Sequence, residues 1–200
     1  MFEFLKGREQ KLIEAIQNGD LEKLGPLLNK FDEQTINSPV HEGQTALELA
    51  IRASQPKVLA LILSKGGDAT LADQAGEPLT ALALAQTESL ALLTALLAAG
   101  ADSHIKDSQG RSLLQICVDH CDPAQLALHL SRLQQHGADL NSYPQLLVDA
   151  LLRFDQPLIQ FLINSGCELP ELPAEVPVEA VSYAKRLIDD YRIQQAFMQR

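Results

Sequence analysis

The chain contains no tryptophan, and only 4% of its 200 residues are aromatic. Its apolar residues, which make up 46% of the sequence, are mostly alanine and leucine. These side chains pack well between short helices, whereas β-sheets favour β-branched and aromatic side chains. The shortage of aromatic residues therefore indicates an all-α protein.

An excess of basic residues is also absent. Lysine and arginine number 16 against 26 aspartates and glutamates, which gives a net charge of −10 at pH 7. Proteins that bind nucleic acids or anionic membrane surfaces usually present a basic face. The acidic balance argues against both kinds of target and favours a basic protein partner.

Cysteines and long apolar segments are few. Cys117, Cys121 and Cys167 form an odd set without the spacing of a disulfide framework, which indicates a reducing compartment. The first residues hold no apolar core of signal-peptide length, and no run approaches the roughly 18 apolar residues of a membrane span. We expect a cytoplasmic protein that does not enter a membrane.

The chain does contain an internal repeat. Gly43, Gly76 and Gly110 each open a similar apolar segment, and they are 33 and 34 residues apart. A second set of glycines closes the same units at positions 66, 100 and 137. A period of this length is typical of one helical unit that is stacked on copies of itself.

Each unit is expected to hold two short helices. In the second unit, residues 46–53 show one apolar stripe, Pro56 marks a break, and residues 57–64 show another stripe before Gly66. Two short helices with one stripe each bury little by themselves, so the units must stack. We expect Leu47, Leu61, Leu82, Leu96 and Leu114 to be buried.

The motifs resemble the ankyrin repeat family, whose units read roughly D-x-x-G-x-T-P-L-H-x-A, then a second helix with paired leucines, then G-A-D. The matching segments are 73–76, 107–112, 96–102 and 136–141. This resemblance implies an ankyrin-type helix-turn-helix repeat solenoid over residues 1–168 and a C-terminal capping helix within residues 169–200. The expected units are an N-terminal cap at about 8–37 and repeats at about 38–72, 73–106, 107–141 and 142–168.

The sequence departs from the family pattern in several places. The family's proline is replaced by Ala46, Ala81 and Leu113, and its histidine by Glu48, Ala83 and Gln115. Because that histidine joins neighbouring repeats, we expect these stacks to depend more on apolar packing. Repeat three is expected to carry two extra residues around 77–79, and repeat four about four extra within 121–125, with Pro123 opening a lengthened helix. The turn at 141–144 is truncated.

The C-terminal segment changes in composition. Three prolines between residues 170 and 177 exclude a helix there, and a helical pattern returns from Val178 to Met198. Val181, Ala184, Ile188 and Tyr191 form its apolar stripe. We interpret this helix as a cap on the last repeat, because repeat arrays need protected ends. The alternative is a separate helix that docks on a partner.

No catalytic motif is present, so we expect neither an enzyme nor a bound cofactor or metal. The one constellation to consider is Cys117, His120 and Cys121, which share one helix face and would be the basis of a metal-binding regulator or enzyme. Cys117 instead fits the small core position that Ala50 and Ala85 occupy in the neighbouring repeats.

The resemblance implies a binding function for the turns that precede each first helix, which we call fingers, and for the outward side of those helices. In an ankyrin-type stack these line one concave side. We therefore predict a monomeric, non-catalytic interaction module that binds a protein partner. The alternatives are an antitoxin or immunity-type inhibitor of a toxin, or a self-assembling structural unit. The predicted partner-binding residues are His41, Glu42, Gln44, Arg52, Gln74, Glu77, Thr87, Gln109, Arg111 and Asp119.

Overall fold

A computed structural model describes residues 2–198 of the chain, with side chains from Gly7 onward. Its contacts divide the chain into two compact units, Met1–Gly137 and Ala138–Arg200. The predicted division after residue 168 stays a prediction. Within the described residues, no helix combines the length and the apolar character that a membrane span requires.

The first unit consists of helix pairs joined by short turns. Its elements are α1 (Phe2–Gln17), α2 (Leu21–Leu28), α3 (Glu33–Ile36), β1 (Pro39–His41), β2 (Gln44–Thr45), α4 (Ala46–Arg52), α5 (Pro56–Ser64), α6 (Leu79–Leu84), α7 (Ser89–Ala98), α8 (Leu113–His120) and α9 (Pro123–Gln135). The first helices of the pairs stack on one another from α1 through α4 and α6 to α8, and the second helices stack from α2 to α9. The predicted all-α class of stacked helix pairs is confirmed.

The second compact unit, Ala138–Arg200, contains a 3-10 turn (Leu140–Ser142), α10 (Gln145–Leu152), α11 (Gln156–Asn164) and α12 (Val178–Met198). Helix α12 packs against α11 and α10, and it buries Ala180 and Ala184. The ring of Tyr183 on α12 meets Phe154 edge to face, with 6.1 Å between the ring centroids. Val181, Ile188 and Tyr191 of the predicted stripe are half-buried. That α12 caps the last repeat stays a prediction.

Side-chain caps begin two of the first helices, α4 and α8. Thr45 and Glu48 form a reciprocal capping box at α4, and Ser112 and Gln115 form another at α8. Each box satisfies two backbone N–H groups that would otherwise lack a partner at the helix start. Glu48 and Gln115 occupy the position of the family's histidine, so in this chain that position stabilises the first helix of its own repeat.

The structure corrects the predicted register of repeat three. Pro39 pairs with Thr45, Ala72 with Pro78, and Lys106 with Ser112, which is the same separation in every finger. Pro78 therefore precedes α6 as Thr45 precedes α4, and repeat three has no extra residues at 77–79.

The counterpart of Cys117 is Ala83, which is fully buried, whereas Ala85 is exposed. Leu79 and Ala81, rather than Ala81 and Ala83, replace the family's proline and histidine.

The corrected register places a polar side chain in the core. Thr80 is the counterpart of Leu47 and Leu114, and all three are buried. The Thr80 hydroxyl has no hydrogen-bond partner among the described residues. A buried polar group without a partner destabilises the folded state, because folding removes it from water without replacing the lost hydrogen bonds.

We therefore expect Thr80→Val to raise the free energy of unfolding by about 1 kcal/mol, since it removes the unpaired hydroxyl and keeps the shape of the side chain. Urea unfolding followed by circular dichroism measures this. The same substitution at Thr45, whose hydroxyl accepts from the N–H of Glu48 at 3.2 Å, should lower stability by about 1 kcal/mol. Equal effects of the two changes would contradict the burial of an unpaired hydroxyl at position 80.

Most of the predicted core residues are buried, with one exception. Leu47, Leu82, Leu96 and Leu114 are buried, but Leu61 is only half-buried. Helix α5 packs through Val58, Leu59 and Ile62 instead. The lengthened helix of repeat four is confirmed, because α9 begins at Pro123 and has 13 residues where α5 has 9.

Polar contacts also join neighbouring repeats, so the stacking is not apolar alone. The side chain of Asn37 donates to the carbonyl of Gly66 at 2.9 Å and accepts from the N–H of Asp68 at 2.8 Å. The Ser103 hydroxyl donates to the carbonyl of His136 at 2.8 Å. These contacts span about one repeat of sequence, and they restrain the register between adjacent units.

Candidate functional site

The structure brings nine of the ten predicted partner-binding residues together along the fingers and first helices of repeats two to four. We call these nine residues, together with Asp73 and Asp107, which form hydrogen bonds that hold the fingers in place, the finger surface. Its members are His41, Glu42, Gln44, Arg52, Asp73, Gln74, Glu77, Asp107, Gln109, Arg111 and Asp119.

The finger surface begins at a cleft of about 340 Å³ in repeat two. Four predicted residues border it, together with one residue of α1, one of α4 and the residue that follows α4: His41, Glu42, Gln44, Arg52, Gln17, Leu49 and Ala53. The cleft lies between the hairpin of β1 and β2, helix α4 and the end of α1.

The hairpin turn needs an unusual backbone. Glu42 and Gly43 both have positive φ, at 45° and 80°, which matches the tight turns that join two short antiparallel strands. A side chain at position 43 would overlap the amide of Gln74 from the next finger. That amide donates to the carbonyl of Glu42 at 2.9 Å, so the fingers of repeats two and three are in direct contact.

Arg52 joins the same two repeats from the end of α4. Its guanidinium lies 3.1 Å from a carboxylate oxygen of Asp73. The other oxygen of Asp73 accepts from the N–H groups of Ala75 and Glu77 at 2.8 and 3.0 Å. Asp73 therefore holds the third finger in shape and also positions Arg52.

The same arrangement recurs in the fourth finger with tighter contacts. Asp107, whose side chain is 1% exposed, accepts from the N–H groups of Gln109 and Arg111 at 2.9 and 2.7 Å. The Arg111 side chain then bridges two carboxylates, Asp107 at 2.7 Å and Asp119 of α8 at 2.9 Å. Glu77 links this finger to the previous one, because its carboxylate accepts from the N–H of Ser108 at 3.1 Å.

Four of the predicted partner-binding residues also have a structural role. Arg52, Gln74, Glu77 and Arg111 hold fingers together. Changing Arg111 would leave the buried carboxylate of Asp107 without its cation. Among the described residues, the side chains of His41, Glu42, Gln44 and Gln109 have no such hydrogen bond or ion pair.

Thr87 is the one predicted residue that lies apart from the finger surface. Its hydroxyl donates to the Ser54 hydroxyl at 3.1 Å, and it borders a different cleft beside α7 and α9. Sequence analysis missed Asp73 and Asp107. Both stand three residues before a finger glycine, and that repeated spacing is the signal that points to them.

The pKa of Asp107 shows how the fourth finger depends on a charged carboxylate. Burial raises this pKa, but hydrogen bonds from the N–H and guanidinium of Arg111 and from Gln109 outweigh burial and leave it below its usual value. A carboxyl whose folded pKa is depressed stabilises the fold above its unfolded pKa. That contribution is lost as pH falls through the folded pKa.

We therefore expect Asp107→Asn to lower the melting temperature at pH 7 and to reduce the loss of stability on acidification below about pH 4. Thermal unfolding between pH 7 and pH 2.5 measures both effects. Asp102→Asn is the matched control, because Asp102 is exposed and its change should leave the profile nearly as in the wild type. Identical acid profiles for wild type and Asp107→Asn would contradict the role given to Asp107.

The constellation considered for metal binding is not assembled as a site. Cys117 and Cys121 are buried, whereas His120 at the end of the same helix is exposed. Among the side chains that the structure describes, from residue 7 to residue 198, no group of three or more histidines, cysteines, aspartates or glutamates is placed to hold a metal ion. The metal-dependent alternative has no support from the described side chains.

No protein-family model matches the sequence, and no curated protein matches it. Among solved structures, the chain is similar to the ankyrin repeat domain of Bcl-3, described as a unique member of the IkappaB protein family. The match covers 91% of this chain and 97% of that domain, at 24% sequence identity and a TM-score of 0.45. That structure is an ankyrin repeat domain, which is the family that the sequence motifs resemble.

Proposed function

We propose that this protein is a non-catalytic interaction module that binds a protein partner through the finger surface. The observation that carries the proposal is the continuity of this surface over three successive fingers. Polar contacts hold its backbone in place, while His41, Glu42, Gln44 and Gln109 are left to face a partner. A preorganised surface of this kind loses little conformational freedom on binding.

The charges of the finger surface favour a basic partner. It holds five carboxylates and two guanidinium groups, and both guanidinium groups are already paired with carboxylates. Glu42 and Glu77 have no cationic partner among the described residues. The surface therefore attracts lysine- or arginine-rich segments, and charge complementarity of this kind raises the association rate and selects against acidic proteins.

The experiment uses charge reversal at two exposed carboxylates of the finger surface, Glu42→Lys and Asp119→Lys. Neither change touches a core side chain, and Arg111 keeps its pair with Asp107. The partner is first captured from cell extract by the wild-type protein, and its affinity is then measured with purified components. We expect the double variant to bind at least about 100-fold more weakly, because like charges across an interface cost several kcal/mol.

The matched control reverses two exposed carboxylates outside the finger surface, Glu22→Lys and Glu88→Lys, which changes the net charge by the same amount. It should bind within about threefold of the wild type. Equal weakening by both double variants would mean that net charge, not the finger surface, governs binding. Undiminished binding by the Glu42 and Asp119 variant would place the partner elsewhere on the protein.

A monomeric state and a cytoplasmic location are part of the proposal.

A further inference from the structure

A groove of about 510 Å³ lies between α1 and α2, the first helix pair of the stack. We call it the N-terminal groove. Side chains of both helices border it, together with one residue that follows α2: Lys11, Ala15, Lys23, Pro26, Leu27 and Lys30. None of the residues that border it belongs to the finger surface.

The backbone shows which residues of repeat two correspond to this groove. The N–H of Asp20 donates to the carbonyl of Ala15 at 2.9 Å. In the same way, the N–H of Gln55 donates to the carbonyl of Ala50 at 2.9 Å. Asp20 and Gln55 also precede the second helix of their pairs, α2 and α5. A position in α1 or α2 therefore corresponds to the position 35 residues later in α4 or α5.

This correspondence shows that the groove is an uncovered stacking face. In repeat two, the four corresponding positions hold fully buried apolar side chains: Ala46, Ala50, Val58 and Ile62. In the first helix pair they hold Lys11, Ala15, Lys23 and Leu27. Both lysines are exposed, and the leucine is half-buried. This face is therefore covered inside the stack but open, within the described residues, at its first helix pair.

The charges around the groove differ from those of the whole chain, whose net charge is −10. Three lysines border the groove, against the two carboxylates of Glu14 and Asp20. Asp20 is already engaged, because it accepts from the N–H of Lys23 at 3.0 Å and pairs with the Lys23 ammonium group at 2.7 Å. Lys11 and Lys30 have no ion pair among the described side chains. The groove thus has an excess of positive charge.

The groove has an apolar middle and a cationic end. Helices α1 and α2 pack against each other and are joined by a short turn, so they run in opposite directions. Lys11 and Lys30 therefore lie at the end of the groove away from the turn, whereas Ala15, Pro26 and Leu27 line its middle. An occupant that fits this arrangement combines aliphatic side chains with carboxylates.

We propose that the N-terminal groove binds an acidic amphipathic helix of a partner protein. A groove between two packed helices suits a third helix, whose apolar side chains recur every three or four residues. The aliphatic side chains of the bound helix contact Ala15, Pro26 and Leu27, and its carboxylates face Lys11 and Lys30. The proposal is independent of the finger surface, which is proposed to bind basic segments.

A polar first helix pair also keeps a repeat array soluble, and exposed lysines are suited to that role. Solubility alone, however, does not need a recess with apolar side chains at its centre. The recess and the two unpaired lysines together distinguish a binding groove from a polar end.

The test measures the binding of a fluorescent peptide of about 18 residues, long enough to form a helix, to the full chain by fluorescence anisotropy. The peptide has leucine at every third or fourth position and alanine and glutamate elsewhere, so that a helix presents one apolar face. Two comparison peptides replace either all glutamates by glutamine or all leucines by serine. We expect saturable binding of the first peptide and at least about tenfold weaker binding of each comparison peptide.

Charge reversal places the peptide on the protein. Lys11→Glu with Lys30→Glu should weaken binding of the first peptide by at least about tenfold, because like charges then face each other. Both lysines are exposed, so the variant should fold as the wild type does. The matched control is Lys57→Glu with Lys65→Glu, which reverses two exposed lysines of repeat two outside the groove. It should bind within about threefold of the wild type.

The absence of saturable binding by the first peptide would overturn the proposal. Equal weakening by the two pairs of substitutions would overturn it too, because net charge and not the groove would then govern binding. Equal affinity for the glutamine peptide would exclude an acidic occupant, and equal affinity for the serine peptide would exclude an amphipathic one.

A second copy of the chain is the remaining occupant, since its acidic finger surface carries carboxylates. Sedimentation velocity over a range of protein concentrations detects such self-association. Association that the Lys11 and Lys30 variant abolishes would overturn the proposal of a partner helix and assign the groove to contacts between copies. A sedimentation coefficient that does not change with concentration supports the partner helix.

Discussion

Replacing Leu96 with alanine is expected to lower the free energy of unfolding by about 2–5 kcal/mol. Leu96 lies on α7, is fully buried, and belongs to the helix that packs between α5 and α9. Truncation removes apolar contacts and leaves a cavity that a stack with neighbours on both sides has little freedom to close. Urea unfolding followed by circular dichroism measures the loss.

Leu90→Ala is the matched control for Leu96→Ala. It makes the same chemical change on the same helix, but Leu90 is only half-buried. We expect less than about half of the effect, because the loss scales with the apolar area that folding removes from water. Equal losses at the two positions would mean that α7 is rotated from the orientation described here.

Removal of residues 178–200 is expected to make the protein aggregate. Helix α12 packs against α11 and α10, and it contributes the fully buried side chains of Ala180 and Ala184 and the ring contact between Tyr183 and Phe154. Without it, apolar side chains of α11 would face water. Newly exposed apolar patches promote association, which light scattering after size-exclusion chromatography detects.

Two point variants test whether the packing of α12, and not the length of the chain, prevents aggregation. Ala184→Arg places a charge at a fully buried position of α12 and should reproduce part of the effect of truncation. Ser182→Arg makes a similar change at an exposed position of the same helix and should leave the protein monomeric. A truncated protein that stays monomeric and equally stable would show that α12 is not a cap, and that it is available to a partner.

The corrections to repeat three have a common cause. Residues 80–85 read Thr-Ala-Leu-Ala-Leu-Ala, which resembles 45–50, Thr-Ala-Leu-Glu-Leu-Ala, so similarity alone aligned Thr80 with Thr45. The backbone pairing of Ala72 with Pro78 shows instead that Pro78 is the counterpart of Thr45. Local similarity could not decide this, because the register of a finger depends on a hydrogen bond across its turn.

For the finger surface, too, one part was predicted from the sequence and another part was not. Its position on the fingers and first helices was predicted, because the resemblance to ankyrin repeats implies that these segments line one side of the stack. The roles of individual residues were not, since Arg52 lies 21 positions from Asp73 and Glu77 lies 31 positions from Ser108. Only the stacking of one repeat on the next brings such pairs into contact.

The sequence by itself determined the repeat period, the all-α class and the helix starts at Pro56, Pro123 and Val178, because caps, breakers and apolar stripes act within a few residues of one another. The tertiary structure alone decided which polar side chains are structural, and it joined Ser89 to His129 across 40 positions. The physical reason is that contacts between repeats depend on the angle and register at which two helix pairs stack. The angle and the register are determined jointly by the sizes and shapes of many side chains at the contact.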